Sequence, residues 1–296
     1  MAQFAKSTFS HASYAAFRPS YPSSLYNTVL AYHHGPRSRC VDLGCGHGVV
    51  ARYLSGSFSQ VIGTDPSDGM IEQAQTSTSR AEYPNVTFRK SAAENLAFLE
   101  DESVDLVVAG QAAHWFDQTK LWPEMKRILR KGGTLAFWGY KDHVFVDYPK
   151  ATKVLDEWCY GDNALGPYWT QPGRSIVQNK LRDLQPPFSD WDDVQRTEYE
   201  PGTEGPRSGE GTMFLNKRIK LGESMAYVRT WSAFSAWQDK FQKKMRDGSR
   251  EGDIVDDMFE EMRSAEPDWR RDGEWKEKEV EVEWGSGLLL ARRKYK

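Results

Sequence analysis

Through the first half of the chain, short unbroken apolar runs alternate with stretches whose apolar residues recur at helical spacing. Arg39–Leu43 (RCVDL), Gln60–Thr64 (QVIGT), Asn85–Arg89, Val104–Ala109 (VDLVVA) and Leu135–Tyr140 have the length and character of strands buried on both faces. Helical patterns lie between them. One covers Ser23–His33 after Pro22, one opens at VVARYL, one runs through MIEQAQ after Pro66-Ser67-Asp68, and one spans Asp117–Leu129. Lys131-Gly132-Gly133 is expected to stop the last of these before the fifth strand. The alternation predicts an α/β fold, doubly wound, with a mostly parallel sheet covered on both faces.

The rhythm breaks after Tyr140. Residues 144–211 are rich in aromatics, proline and glycine, and read as a structured pocket wall (YGDNALGPYWTQPGR) followed by an exposed loop (EYEPGTEGPRSGEG). Met213–Leu221 alternates as a strand, and Glu223–Met245 reads as one long helix inside a helical and charged region, 223–275. Lys278–Trp284 alternates cleanly, and Leu288–Arg292 continues that ladder beyond a break at Gly285–Gly287. No repeat is visible, and the pattern requires no second domain that folds alone.

Composition narrows the classes. With 296 residues and no apolar run near the length of a membrane span, the chain is expected to be one domain in the cytoplasm, away from membranes. The opening residues lack the apolar core of a secretory signal. A formal charge of -3 and a mixed-sign region from Gln238 to Lys278 argue against a nucleic-acid partner. Cys40, Cys45 and Cys159 suggest neither disulfides nor zinc, and the six histidines lack ligand spacing, so no metal is expected. Tryptophans concentrated beyond Asp105 suit either an aromatic-lined pocket or large core anchors.

The strongest local signal is VDLGCGHGV at 41–49. A strand turns into a helix through glycines that let backbone approach a ligand at the sheet's carboxyl edge. Asp42 precedes the first glycine, and Asp65 ends the next strand, where an acid can accept both hydroxyls of a ribose. The spacing departs from the longer glycine pattern that cradles pyrophosphate.

With GTDPSDGMI at 63–71, SAAENL at 91–96 and AGQAAHWFD at 109–117, the chain resembles the class I S-adenosylmethionine-dependent methyltransferases. FRPSYP at 17–22, FWGY at 137–140, GPYWTQPGR at 166–174 and YVRTWSAFSAW at 227–237 make it similar to the fungal trans-aconitate methyltransferase-like family. The resemblance implies a seven-stranded Rossmann-like sheet with insertions forming an acceptor cap, and S-adenosylmethionine as cofactor. It implies that Gly44 and Gly46 line the methionyl end with Asp42 attracting its ammonium, that Asp65 takes the ribose, and that Met70, Ser91 and Ala92 lie by the adenine. Many relatives carry an acid where Ser91 stands. Gln111 and Trp115 would stand near the cofactor, and Tyr14, Arg18 and Tyr21, within the segment 1–34, would close over it.

For the acceptor, Arg174 and Arg229 are candidates to grip a carboxylate, and Trp138, Tyr140, Tyr168, Trp169, Tyr227 and Trp231 to shape the pocket. His114 is the candidate catalytic residue: either a base for a hydroxyl, thiol or amine, or a neutral hydrogen-bonding wall. A carboxylate acceptor needs no base, being ionised already at neutral pH. The leading expectation is methyl-ester formation on a small acid such as trans-aconitate. Methylation of a secondary metabolite at oxygen, sulfur or nitrogen is the alternative, and a non-catalytic cofactor-binding regulator is a third. Oligomeric state is left open.

Overall fold

The computed structural model describes residues 18–246, 252–270 and 273–295, with the side chains of 242–246 excepted. The chain forms two compact units. Among the described residues, the first takes Tyr21–Lys141, Pro172–Glu198 and Ser286–Tyr295; the second takes Arg18–Ser20, Asp142–Gln171 and those within Tyr199–Gly285.

Helix α1 (Ser23–Tyr32) leads into β1 (Arg39–Leu43), α2 (Val49–Leu54), β2 (Gln60–Asp65), α3 (Asp68–Thr76), β3 (Val86–Lys90) and β4 (Val104–Gly110). A single 3₁₀ turn, Ala113–Trp115, precedes α4 (Gln118–Ile128), β5 (Leu129–Phe145) and α5 (Pro149–Tyr160). After a second 3₁₀ turn at Gly166–Tyr168 come α6 (Gly173–Gln178), β6 (Trp191–Glu200), β7 (Glu210–Gly211) and β8 (Asn216–Lys220). The chain closes with α7 (Leu221–Val228), α8 (Ser232–Arg246), α9 (Ile254–Ala265) and β9 (Glu279–Arg293).

The first unit holds the expected seven-stranded sheet in the order β3-β2-β1-β4-β5-β9-β6. Strands β1 to β5 are mutually parallel, with Val41 opposite Ile62 and Val107 opposite Leu135. Side chains from one face, including Val41, Leu43, Ile62 and Val107, pack with Leu121, Trp122 and Met125 of α4 into one core. Strands β5, β6 and β9 continue into the second unit, where β7 pairs with Tyr199–Glu200 and β8 runs antiparallel to Glu279–Glu283. The two short strands extend the seven to nine among the described residues. No helix among the described residues is long and apolar enough to cross a membrane.

Several boundaries differ from those read in the pattern. Helix α4 stops at Ile128, and Lys131-Gly132-Gly133 is not its stop. Those residues bulge out of β5: Val104 pairs with Leu129 while Leu106 pairs with Thr134. The long helix from Glu223 to Met245 is two helices. At the break, Thr230 and Trp231 donate their N–H groups to Tyr227 and Val228 in a tight turn, and the Thr230 hydroxyl takes the Tyr227 carbonyl at 2.6 Å. Gly285–Gly287 is no interruption, because β9 runs straight through it. Strand β6 went unread because its sequence, WDDVQRTEYE, is mostly polar, as expected of a strand near the sheet's edge.

Candidate active site

At the carboxyl edge of the sheet in the first unit, the turn Gly44–Gly48 links β1 to α2. Gly44 has φ +61°, and a Cβ added there would stand 2.5 Å from the Cβ of Ala112, just past β4. The adjacent strand ends are thereby brought together at a spacing only glycine allows. Gly46 has φ +51°, but a Cβ there would meet nothing nearer than the Met70 sulfur at 4.0 Å. The space over Gly46 is therefore open, with Met70 at its far side.

Asp65 ends β2 beneath that space. Its two carboxylate oxygens accept the Gly46 N–H at 3.1 Å and the Ser67 N–H at 2.9 Å, which fixes the carboxylate's orientation. Ser67 caps α3 by accepting the Met70 N–H, which seats Met70 beside Gly46. Ser91 follows β3 and donates its N–H to the Asp65 carbonyl; its hydroxyl closes a turn onto the Asn95 carbonyl at 2.6 Å, and Ala92 is exposed next to it.

Asp42 is the unusual group. It is 1% exposed, and neither carboxylate oxygen has a hydrogen-bond partner. Burial pushes its pKa up to about 8; the charge of Asp65 adds to the rise, and the Ala51 N–H, near but outside hydrogen-bond geometry, offsets part of it. A buried carboxyl left unsatisfied costs on the order of 1–3 kcal/mol or more, and a cationic donor would relieve it. The hydroxyl of Tyr26 on α1, also unpartnered, feels the Asp42 charge, and burial raises its pKa far above the phenol range. The donor set fits S-adenosylmethionine: an acid pair for an ammonium and a ribose, and an open glycine bounded by a thioether.

The 3₁₀ turn Ala113–Trp115 follows Ala112. His114 is 9% exposed, and its ring tilts against Trp115 at 4.8 Å. Helix α6 packs onto this turn: a Cβ on Gly173 would stand 3.1 Å from the His114 carbonyl oxygen. Arg174, the next residue, is buried at 9% exposure. The structure therefore brings the glycine turn, His114, Trp115 and Arg174 into one neighbourhood of the first unit. Ala112 went unnoticed in the sequence, where a small residue after a strand carries no signal.

Other expected site residues have different surroundings. Gln111, with φ +55°, donates its amide to the Tyr140 carbonyl at 2.8 Å and accepts the Tyr140 N–H at 2.7 Å. It extends the β4–β5 ladder by its side chain. Trp138 is 2% exposed, edge-on to Tyr21 at 5.4 Å and to Tyr26 at 6.1 Å. Tyr140 is likewise buried, tilted against Tyr21. Tyr14 lies outside the described residues.

In the second unit, Tyr227 and Trp231 are buried around His143 together with Trp284, and Trp169 packs on Trp231 at 5.6 Å while donating its indole N–H to the Cys159 carbonyl. His143 bonds Ser224 at 2.9 Å, and burial depresses its pKa to about 4, so it is neutral at pH 7. These rings fill a core. Tyr168 is half-buried against Phe241, with the Lys240 ammonium 5.4 Å from its ring. Arg18 donates to the Thr230 carbonyl at 3.1 Å and lies over Tyr227.

Arg229 does not suit a carboxylate substrate. Its Nε and Nη2 grip Asp253 at 2.7 and 3.0 Å, and Nη2 also reaches Asp256 at 2.8 Å. The guanidinium fork joins the end of α7 to the cap of α9, and its charge is already matched. Arg229→Ala is expected to destabilise the protein by about 1–3 kcal/mol, between values for exposed and buried pairs. Thermal unfolding would register the loss while the acceptor KM stays unchanged; a raised KM with unaltered stability would restore the substrate role.

The chain is similar to known methyltransferases. A family model described as "Methyltransferase domain" matches residues 41–137, from within β1 into β5. A "Probable S-adenosylmethionine-dependent methyltransferase" of Saccharomyces cerevisiae is 33% identical over 86% of this chain and 87% of its own length. A Dictyostelium discoideum protein named as a methyltransferase is 31% identical over 76% of each chain. Among solved structures, a "Putative Type II Methyltransferase" from Anaeromyxobacter dehalogenans superposes with a TM-score of 0.66 at 26% identity, over 93% of this chain and 98% of that one. The chain belongs to the S-adenosylmethionine-dependent methyltransferases, with the class I fold. It is an enzyme of methyl transfer, and S-adenosylmethionine is its cofactor.

Proposed function

We propose that this methyltransferase acts in the cytoplasm on a small carboxylic acid, with a tricarboxylate of the trans-aconitate kind as the sharpest candidate. The observation that carries the reading is Arg174, a cation buried on α6 against the His114–Trp115 turn and next in line to the glycine turn. A guanidinium is a planar fork whose geometry matches one carboxylate of a polyacid. That grip leaves a second carboxylate of the same molecule for methylation.

The bound cofactor supplies an electrophilic methyl group on a sulfonium and departs as the neutral thioether of S-adenosylhomocysteine. Everything else falls to the chain. Asp42 and Asp65 hold the methionyl and ribose ends, Gly46 gives backbone-close access, and Met70 with Ser91 and Ala92 borders the adenine. Trp115, with Tyr21, keeps water from the site. The acceptor carboxylate is already ionised, so no residue needs to remove a proton. His114 accordingly serves as a wall and hydrogen-bonding group rather than as the base. Catalysis then rests on orientation and on excluding water.

The test is incubation with methyl-labelled S-adenosylmethionine and a panel of small acids that includes cis- and trans-aconitate, with products identified by mass spectrometry. A trans-aconitate monomethyl ester is the expected product. Failure to methylate any acid, with cofactor demonstrably bound, would overturn the acid reading and turn the search to hydroxyl, thiol and amine metabolites.

A further inference from the structure

Away from the carboxyl edge, the face of the sheet over β1, β2 and β3 is incompletely covered. The connection from β3 to β4, residues 91–103, contains no helix, and an open groove of about 410 Å³ remains beside it. Ile62 and Thr87, register partners on β2 and β3, lie along the groove, and Phe98 and Leu99 of the connection contribute to its lining. Arg39 enters where β1 begins, opposite Gln60; Arg89 enters farther along β3, opposite Thr64. No acidic side chain lines the groove.

The two arginines are held by neutral partners. Arg39 donates its Nε to the Gln60 side-chain oxygen at 2.7 Å, and the Arg89 guanidinium lies 4.4 Å over the Phe98 ring. Neither meets a carboxylate among the described residues. Elsewhere in the same unit Arg127, Arg130, Arg182, Arg292 and Arg293 each do. Both contacts orient a guanidinium without neutralising it. The Gln60 contact uses only Nε, and the Phe98 contact uses only a ring face. The Nη edges that recognise oxyanions stay available on both.

We propose that this groove is a second ligand site, one that takes a small molecule with two oxyanion groups, phosphate or carboxylate, one for each arginine. Leu99 and Ile62 offer an apolar surface for the body between them, and the Thr87 hydroxyl and the Gln60 amide can donate further hydrogen bonds. The site is distinct from the cofactor turn, whose residues stand at the carboxyl ends of the strands, and it does not depend on which acceptor is methylated.

The experiment uses the full chain saturated with S-adenosylhomocysteine, so that the cofactor site is filled. Inorganic pyrophosphate and succinate are titrated separately by calorimetry at low ionic strength. At least one is expected to bind saturably at one per chain; pyrophosphate alone would assign the site to phosphates, succinate alone to dicarboxylates. Arg39→Gln or Arg89→Gln is expected to weaken that binding about tenfold, as loss of one charge-assisted fork should. The double variant is expected to abolish it, with thermal stability and S-adenosylhomocysteine affinity unchanged. Arg89→Lys, which keeps the charge but not the fork, should fall between. Absence of saturable binding by both probes, or binding that persists in the double variant, would overturn the proposal.

Discussion

Asp42→Asn is expected to make the cofactor-free protein more stable at pH 8 and at the same time a poorer binder of S-adenosylmethionine. The carboxyl is buried without a hydrogen-bond partner, and burial raises its pKa to about 8. Below about pH 4 the group is protonated in both the folded and unfolded chains, and it costs nothing extra. As pH rises from there, the unfolded chain releases the proton while the folded one keeps it. Folded stability therefore declines by up to about 1.4 kcal/mol per pH unit until the folded pKa is passed. Asn keeps the shape and cannot ionise, so this loss disappears.

The melting temperature of the variant minus that of the native protein should thus be near zero at pH 4 and grow steadily to pH 8. The same substitution removes a carboxyl that can ionise against the cofactor's ammonium, and affinity is expected to fall roughly 10- to 100-fold, the worth of a hydrogen bond to a charged group. Differential scanning fluorimetry across pH and calorimetry with S-adenosylmethionine read the two effects. A stability difference that ignores pH would show that the carboxyl is ionised in the folded protein. Unchanged affinity would remove Asp42 from the site.

The second large effect is expected at Arg174. Arg174→Ala should reduce kcat/KM for a carboxylate acceptor about 30- to 1000-fold, since truncating one partner of a buried charge pair costs roughly 2–4 kcal/mol. S-adenosylmethionine affinity should change little, because the acids proposed for the cofactor lie on β1 and β2. Arg174→Lys is expected to recover part of the rate, keeping charge but losing the bidentate fork. Equal loss of acceptor use and cofactor binding, in a variant that still unfolds cooperatively, would assign Arg174 to the scaffold. His114→Gln is the informative companion: a wall residue leaves the pH–rate profile flat above pH 6, whereas a base abolishes a rise near its pKa.

Much of the first unit was legible because its strands are buried on both faces. RCVDL and VDLVVA have no polar face to present and no length for a helix, and the structure puts strands at Arg39–Leu43 and Val104–Gly110. The cofactor turn was legible for a related reason: glycines between a buried strand and a helix, with an acid at the next strand's tip, are a local arrangement. Beyond Tyr140 the information is not local. The polar residues of β6 announce no strand until a neighbouring strand is known, and the turn that splits α7 from α8 hides within an uninterrupted helical period.

The arginines show the division most clearly. Arg174 and Arg229 each sit among aromatics in sequence, and composition treats them alike. Arg229 meets its partner acids 24 and 27 positions away, a pairing made only when α7 and α9 come together. Gln111 follows a strand as a cofactor ligand would, yet its amide is claimed by Tyr140 across the ladder. The sequence by itself determined the strand–helix alternation, the glycine turn and the placement of Asp42 and Asp65 on adjacent strands, because each depends on residues within a turn or a strand of one another. Tertiary structure alone decided which cations are neutralised, which aromatics are core and where Asp42 is left without a partner, because burial and ion pairing depend on residues far apart in the chain.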